Sequence, residues 1–173
     1  MGIKLLARIL ISVAGVAFAA SSSLIKREVV TAFSSEEQTA IVEKHNEYRR
    51  KVSPTASNMA ELKWDADLTK KAQDLADGCV FEHSITYGIG QNLYVSTGER
   101  DVIAPVTSWH DEVKNYTYED NKCDEGAICG HYTQVIWAST TAVGCGIKHC
   151  PSLIIPHVGE WNGWMFVCNY KPR

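Results

Sequence analysis

Several things are missing from this 173-residue chain, and each absence removes a class of function. No stretch reaches the roughly 20 apolar residues that a membrane-spanning helix needs. Nor is there an excess of base. Against 20 Asp and Glu stand 17 Lys and Arg, a formal charge of −3. That leaves no electrostatic footprint for nucleic acid and no polybasic patch for anionic lipid. The chain has no phosphate-cradling glycine loop, no G-x-S-x-G elbow and no HExxH helix. Internal repeats, linkers and low-complexity tracts are also absent.

What is present begins with a basic start, Lys4 and Arg8, followed by the apolar run Ile9 to Ala20 that ends Ala17-Phe18-Ala19-Ala20. A basic n-region, a short h-region and a small-x-small site form the pattern of a secretory signal peptide. The expected organisation is a signal peptide over 1–20, a short leader over 21–34 and one domain over 35–173. Cleavage removes two positive charges and no acid, taking −3 to −5. The six cysteines (Cys79, Cys123, Cys129, Cys145, Cys150, Cys168) all lie beyond that segment. An even count in a secreted chain points to three disulfides, although spacing alone leaves the pairing open. Asn115-Tyr116-Thr117 is a glycosylation sequon.

Periodicity divides the domain. Ser34 and Glu37 have capping-box spacing ahead of Ile41, His45, Tyr48 and Val52, which recur as on a helix. A second helix fits Asp65 to Asp77, stopped by Gly78. Residues 92–96 suggest a short strand, and Val102 to about Tyr116 a third helix with Val106, Trp109 and Val113 on one face. A polar loop over 117–129 precedes a short helix carrying His131 to Trp137. Two strands follow, Val143–Lys148 and Trp164–Tyr170. Helices and strands mix without a βαβ repeat, so the class is α+β.

Polar chemistry concentrates in Gly130-His131-Tyr132-Thr133-Gln134-Val135-Ile136-Trp137. Only Val135 and Ile136 there look like core filler; the other side chains need polar partners when buried. The run reads as the floor of a site. His131 is a natural ligand or base, as is His83, but a lone histidine is more often structural. Glu112 lies three residues after Trp109 on an otherwise apolar face, where an acid must find a partner or sit at a cleft rim. Either role suits it.

These residues resemble the CAP superfamily of cysteine-rich secretory, antigen-five and pathogenesis-related proteins. The run from Gly130 is similar to that family's first signature, and Phe166-Val167-Cys168-Asn169-Tyr170-Lys171-Pro172 to its second. His45-Asn46-Glu47-Tyr48-Arg49 and Gly90-Gln91-Asn92-Leu93 match two further motifs. Helminth venom allergen-like proteins are the members it most resembles. The resemblance implies a disulfide-stabilised three-layer α-β-α sandwich with a central cleft. It places the cleft residues at His83, His131, Glu112 and Gln91, the last where Glu is commoner. Gln cannot act as a general base or lend charge to a cation. A divalent cation, zinc foremost, would then rest on His83 and His131. The implied disulfides are Cys79–Cys150, Cys145–Cys168 and Cys123–Cys129.

Three functions follow as expectations. The first is lipid or sterol binding without catalysis, at the loop around Asn115 to Asn121 with Tyr116 and Tyr118, or in a groove between the first and third helices. The second is an extracellular hydrolase or protease on His83, His131 and Glu112, with Ser84 and Thr133 the nearby hydroxyls. The third is an effector that docks to a host or receptor protein.

Overall fold

The computed structural model describes residues 33–84 and 86–173. The expected signal peptide, and the leader up to residue 32, lie outside the described residues. Helix α1, Ser35–Arg50, starts where the sequence places it. Ser34 Oγ accepts from the Glu37 amide, and the Glu37 carboxylate accepts from the Ser34 amide. Arg100 then grips the same carboxylate through both guanidinium nitrogens, tying the start of the helix to a distant loop. Helix α2, Ala66–Asp77, is capped by Asp65 and stops at Gly78.

Strands β1 (Lys63–Trp64), β2 (Gly90–Ser96), β5 (Ala142–Ile155) and β6 (Gly159–Lys171) form one sheet in the order β1-β5-β6-β2. β1 runs parallel to β5, and the other pairs are antiparallel. Alternation on β6 divides the core. Phe166, Cys168 and Tyr170 face a cluster with Ile41, Val106, Trp109 and Val135. Met165 and Val167 face another with Ala72 and Ala76 of α2. The sheet therefore lies between α2 and the remaining helices, the three layers of an α+β sandwich.

β1 has no counterpart among the expected elements, the short helix from Gly130 ends at Val135 rather than carrying Trp137, and two further elements differ more. The third helix is shorter. α3 spans Ala104–Asp111 and gives way to a 3₁₀ turn, Glu112–Asn115, then to a small hairpin of β3 (Tyr116–Thr117) and β4 (Lys122–Cys123). The change of winding frees Glu112 to reach another element. The β5–β6 hairpin is longer than expected because Pro151 does not end the strand. It falls in the register shift between Cys150 and Leu153, and a bulge tolerates a residue without an amide hydrogen. Helix α4 is Gly130–Val135. Disulfides join Cys79 to Cys150, Cys123 to Cys129 and Cys145 to Cys168. Among the described residues, no helix is long and apolar enough to cross a membrane.

Candidate functional site

Strand β2 delivers Gln91 to the cleft, paired in register with Asn169 of β6. Its carboxamide is fully used. Oε1 accepts from His83 Nδ1 and from the Ser84 amide, each at 3.0 Å. Nε2 donates to Ser84 Oγ at 3.0 Å and to Asn169 Oδ1 at 2.9 Å. Asn169 in turn donates to the Leu68 carbonyl, anchoring the group on α2. Since the carbonyl oxygen can only accept, His83 donates from Nδ1, and in the neutral ring the lone pair is on Nε2.

Glu112 does the same for His131 from the other side. One carboxylate oxygen accepts from the backbone amides of His131 and Tyr132, both at 3.0 Å. The other takes His131 Nδ1 at 2.5 Å. Helix α4 has no side-chain cap of its own at Cys129, so Glu112 supplies one from the turn after α3. The His131 ring lies nearly parallel to Trp109, 6.2 Å between centroids. Trp109 is fixed by its own bond to the Leu93 carbonyl.

Beneath the cleft runs a buried chain of polar groups. Asn92 donates to the His131 carbonyl at 3.1 Å and contacts the Tyr170 hydroxyl. That hydroxyl lies 2.9 Å from His45 Nε2, and His45 Nδ1 donates to the Ile41 carbonyl. Burial pushes His45 down to about 4 and raises the Tyr170 hydroxyl well above its usual range. One turn further along α1, Arg49 donates to four carbonyls, those of Ala60, Val135, Trp137 and Thr140. It pins the C-terminal end of the segment that carries His131.

The structure thus gathers His83, Gln91 and His131 around one cavity of about 360 Å³. Glu112 stands behind His131 rather than in the lining. Ser84 Oγ accepts from Gln91, and Thr133 Oγ1 donates to the Gly130 carbonyl, so neither hydroxyl is bonded to an imidazole. Among the described residues no three of His, Cys, Asp or Glu stand close enough to form a metal centre. The two Nε2 atoms are what remains for a cation. A cation there would have two imidazole ligands, each ring oriented by an acceptor behind it.

Tyr116, Tyr118 and Asn115 lie elsewhere, around the β3–β4 hairpin. The Tyr116 ring packs 5.5 Å from Tyr132 and its hydroxyl donates to Asn121. Tyr118 is exposed. The Asn115 carbonyl accepts from the Asp124 amide. Between α1 and α3, Tyr48 stacks on His110 at 3.8 Å and donates to Thr107, filling part of that groove. The sequence reading missed the supporting roles of Asn92, Asn169 and Arg49. They were visible only as polar letters inside motifs, and their partners lie far away in the chain.

The model of the CAP family, described as the cysteine-rich secretory protein family, matches residues 42–170. Peptidase inhibitor 16 of Bos taurus is 43% identical over 143 residues, 82% of this chain and 30% of that protein. Cysteine-rich secretory protein 2 of Homo sapiens is 38% identical over 141 residues, 78% of this chain and 56% of that protein. The chain therefore spans only part of the length of these relatives. Among solved structures, Schistosoma mansoni venom allergen-like protein 4 superposes with a TM-score of 0.66 at 29% identity, covering 80% of this chain and 90% of that one. The structure of NaASP2 with Zn2+ gives 0.64 at 26% identity, covering 80% of each.

Proposed function

The chain belongs to the CAP, or cysteine-rich secretory protein, family, and from that premise we propose that it is a secreted, non-enzymatic binding protein acting as an extracellular effector. The observation that carries this reading is the bonding of Gln91. A carboxamide stands in the cleft with all four of its hydrogen bonds satisfied by protein. It holds His83 in place and has neither charge nor a proton to exchange. A hydrolase acting through a side-chain hydroxyl would need that hydroxyl on a base, and both nearby hydroxyls have other partners.

In this reading His83 and His131 hold a divalent cation, zinc first, through Nε2, with Gln91 and Glu112 orienting the rings. The bound ion would supply a positive charge at the cleft floor. The solved relative with Zn2+ supports the choice of metal. A sterol or fatty acid is the proposed second ligand, taken at the loop that follows Asn115. There Tyr118 leaves 56% of its surface in water, in the turn closed by the pairing of β3 with β4. Asn115 is the proposed glycan acceptor.

The test is titration of the secreted protein with zinc and, separately, with labelled cholesterol and palmitate. Zinc binding that is lost in His83→Ala and His131→Ala, and lipid binding that is reduced in Tyr118→Ala, are the expected results. Hydrolysis of peptide or ester substrates that disappears in both histidine variants would overturn the non-enzymatic reading.

A further inference from the structure

Trp137 closes the most polar motif of the chain, yet its side chain belongs to neither core cluster and leaves 46% of its surface in water. Its backbone, by contrast, is rigidly held. The carbonyl accepts from Arg49 at 2.7 Å, and the amide donates to the Gln134 carbonyl at 3.3 Å. An indole fixed at its root and left in water is prepared for an outside partner rather than for the core.

That indole lines a second cavity, of about 480 Å³, with Thr86, Tyr87, Gly88 and Arg173. Tyr87 is wholly exposed, at a turn where Gly88 takes a left-handed φ of 73°. Thr86 and Arg173 also line the histidine cleft, so the two cavities adjoin. Each is within the size range of a small-ligand site.

The chemistry of the joined space is distinctive. Among the described residues lining either cavity, none has a carboxylate side chain. Glu112 spends its oxygens on two backbone amides and His131. In the metal-free chain the neutral rings of His83 and His131 offer Nε2 lone pairs, which accept from hydroxyl groups in competition with a cation. Ser84 Oγ already accepts from Gln91, leaving its own proton to donate. Arg173 is the cation at the junction. Hydrogen-bonding groups in one cavity, an aromatic shelf in the adjoining one and a guanidinium between them match a sugar that carries an acid. Its hydroxyls would meet the imidazoles, its C–H face the indole, and its carboxylate the fork of Arg173.

We propose that the His83/His131 cleft and the Tyr87–Trp137 shelf form one site for a glycan bearing a carboxylated sugar, with Arg173 selecting the acid. This rests on the cleft being a binding site, but neither on its holding zinc nor on the lipid loop. The test uses the full secreted chain, stripped with a chelator. It is titrated calorimetrically with a hyaluronan tetrasaccharide, whose glucuronates carry the acid, and with neutral chitotetraose. The acidic sugar is expected to bind. Trp137→Ala should weaken it at least tenfold, and a thermal melt of the same sample shows that the variant is folded. Arg173→Gln should abolish the preference for the acidic over the neutral sugar. Failure of both sugars to bind, or equal affinity in Trp137→Ala, overturns the proposal. Equal binding of both sugars by the unaltered chain overturns the role of Arg173. A zinc titration on the same samples separates the two ideas. Zinc bound by Trp137→Ala but not by His83→Ala, with no sugar bound, would sink the glycan and spare the cation.

Discussion

The carboxylate of Glu112 holds His131 twice, through the backbone amide at 3.0 Å and through imidazole Nδ1 at 2.5 Å. One acid thus caps the helix that bears the histidine and also sets that histidine's tautomer. Glu112→Ala should release both. Leaving two amides at the start of α4 without an acceptor costs on the order of 2 kcal/mol. Zinc affinity should fall by roughly 10- to 100-fold, the usual effect of removing a group that orients a ligand. Urea denaturation and zinc titration of the variant measure the two losses separately. Unchanged values in both would mean that the contact does not matter.

His45 gives the fold a sensitivity to acid. Burial, the largest cause, and the nearby Arg49 charge hold it near 4, against an ordinary 6.5, and the Ile41 carbonyl opposes them only in part. Between these values the unfolded chain binds the proton and the native chain does not. Stability therefore falls as pH drops from about 6.5 towards 4, and this contribution is flat above that window. The full effect is about 3 kcal/mol. His45→Gln removes the titrating group. The difference in urea midpoint between pH 7.5 and pH 5 should be smaller in that variant than in the parent; equal differences would refute the assignment.

Arg49 is a buried cation whose direct partners in the fold are carbonyl oxygens. Burial lowers it to about 10, still charged at neutral pH. Only a guanidinium can reach four acceptors at once in one plane. Arg49→Lys keeps the charge and loses the fork, so it should cost roughly 2–4 kcal/mol in chemical denaturation. A loss within about 0.5 kcal/mol, the scatter of an ordinary surface substitution, would show that charge alone suffices.

Most of the frame was legible in the sequence because it is governed by local rules. The Ser34–Glu37 box, the Asp65 cap and the Gly78 stop each act within one turn of helix. The places where reading failed depend on contacts across the chain. Glu112 ends α3 early because its partners, His131 and Tyr132, lie 19 and 20 residues away. The strand expected to end at Lys148 runs on past Pro151 because Cys150 and Leu153 pair with Gly163 and Trp161 on either side of it. For the site, motif resemblance located the histidines. The roles of Gln91 and Asn169 follow from a register that no local pattern encodes.

The disulfides should differ in worth. Cys79–Cys150 spans 71 residues and Cys123–Cys129 only 6. A longer loop removes more freedom from the unfolded chain, so the double alanine variant of the long bridge should lose about 2 kcal/mol more than that of the short one. Thermal melts of Cys79→Ala/Cys150→Ala and Cys123→Ala/Cys129→Ala would compare them. The opposite order would show that the short bridge acts mainly by ordering the native hairpin.

Glycines at the sheet separate fold from site. A Cβ on Gly146 would lie 2.4 Å from the Gln73 amide nitrogen, and one on Gly144 2.4 Å from the Asp65 carbonyl. Both obstacles are backbone of α2 or its cap, so the helix must lift off the sheet. Gly146→Ala should cost roughly 2 kcal/mol or more. A Cβ on Gly90 would lie 1.8 Å from Gln134 Oε1, the tip of a side chain that lines the cleft. That tip can swing away, so Gly90→Ala should keep most of its thermal stability while changing ligand affinity in the cleft. Melting curves and zinc titrations of the two variants form the test. Equal destabilisation by both would mean that Gln134 is as immovable as the helix backbone, and that the cleft wall is part of the rigid core.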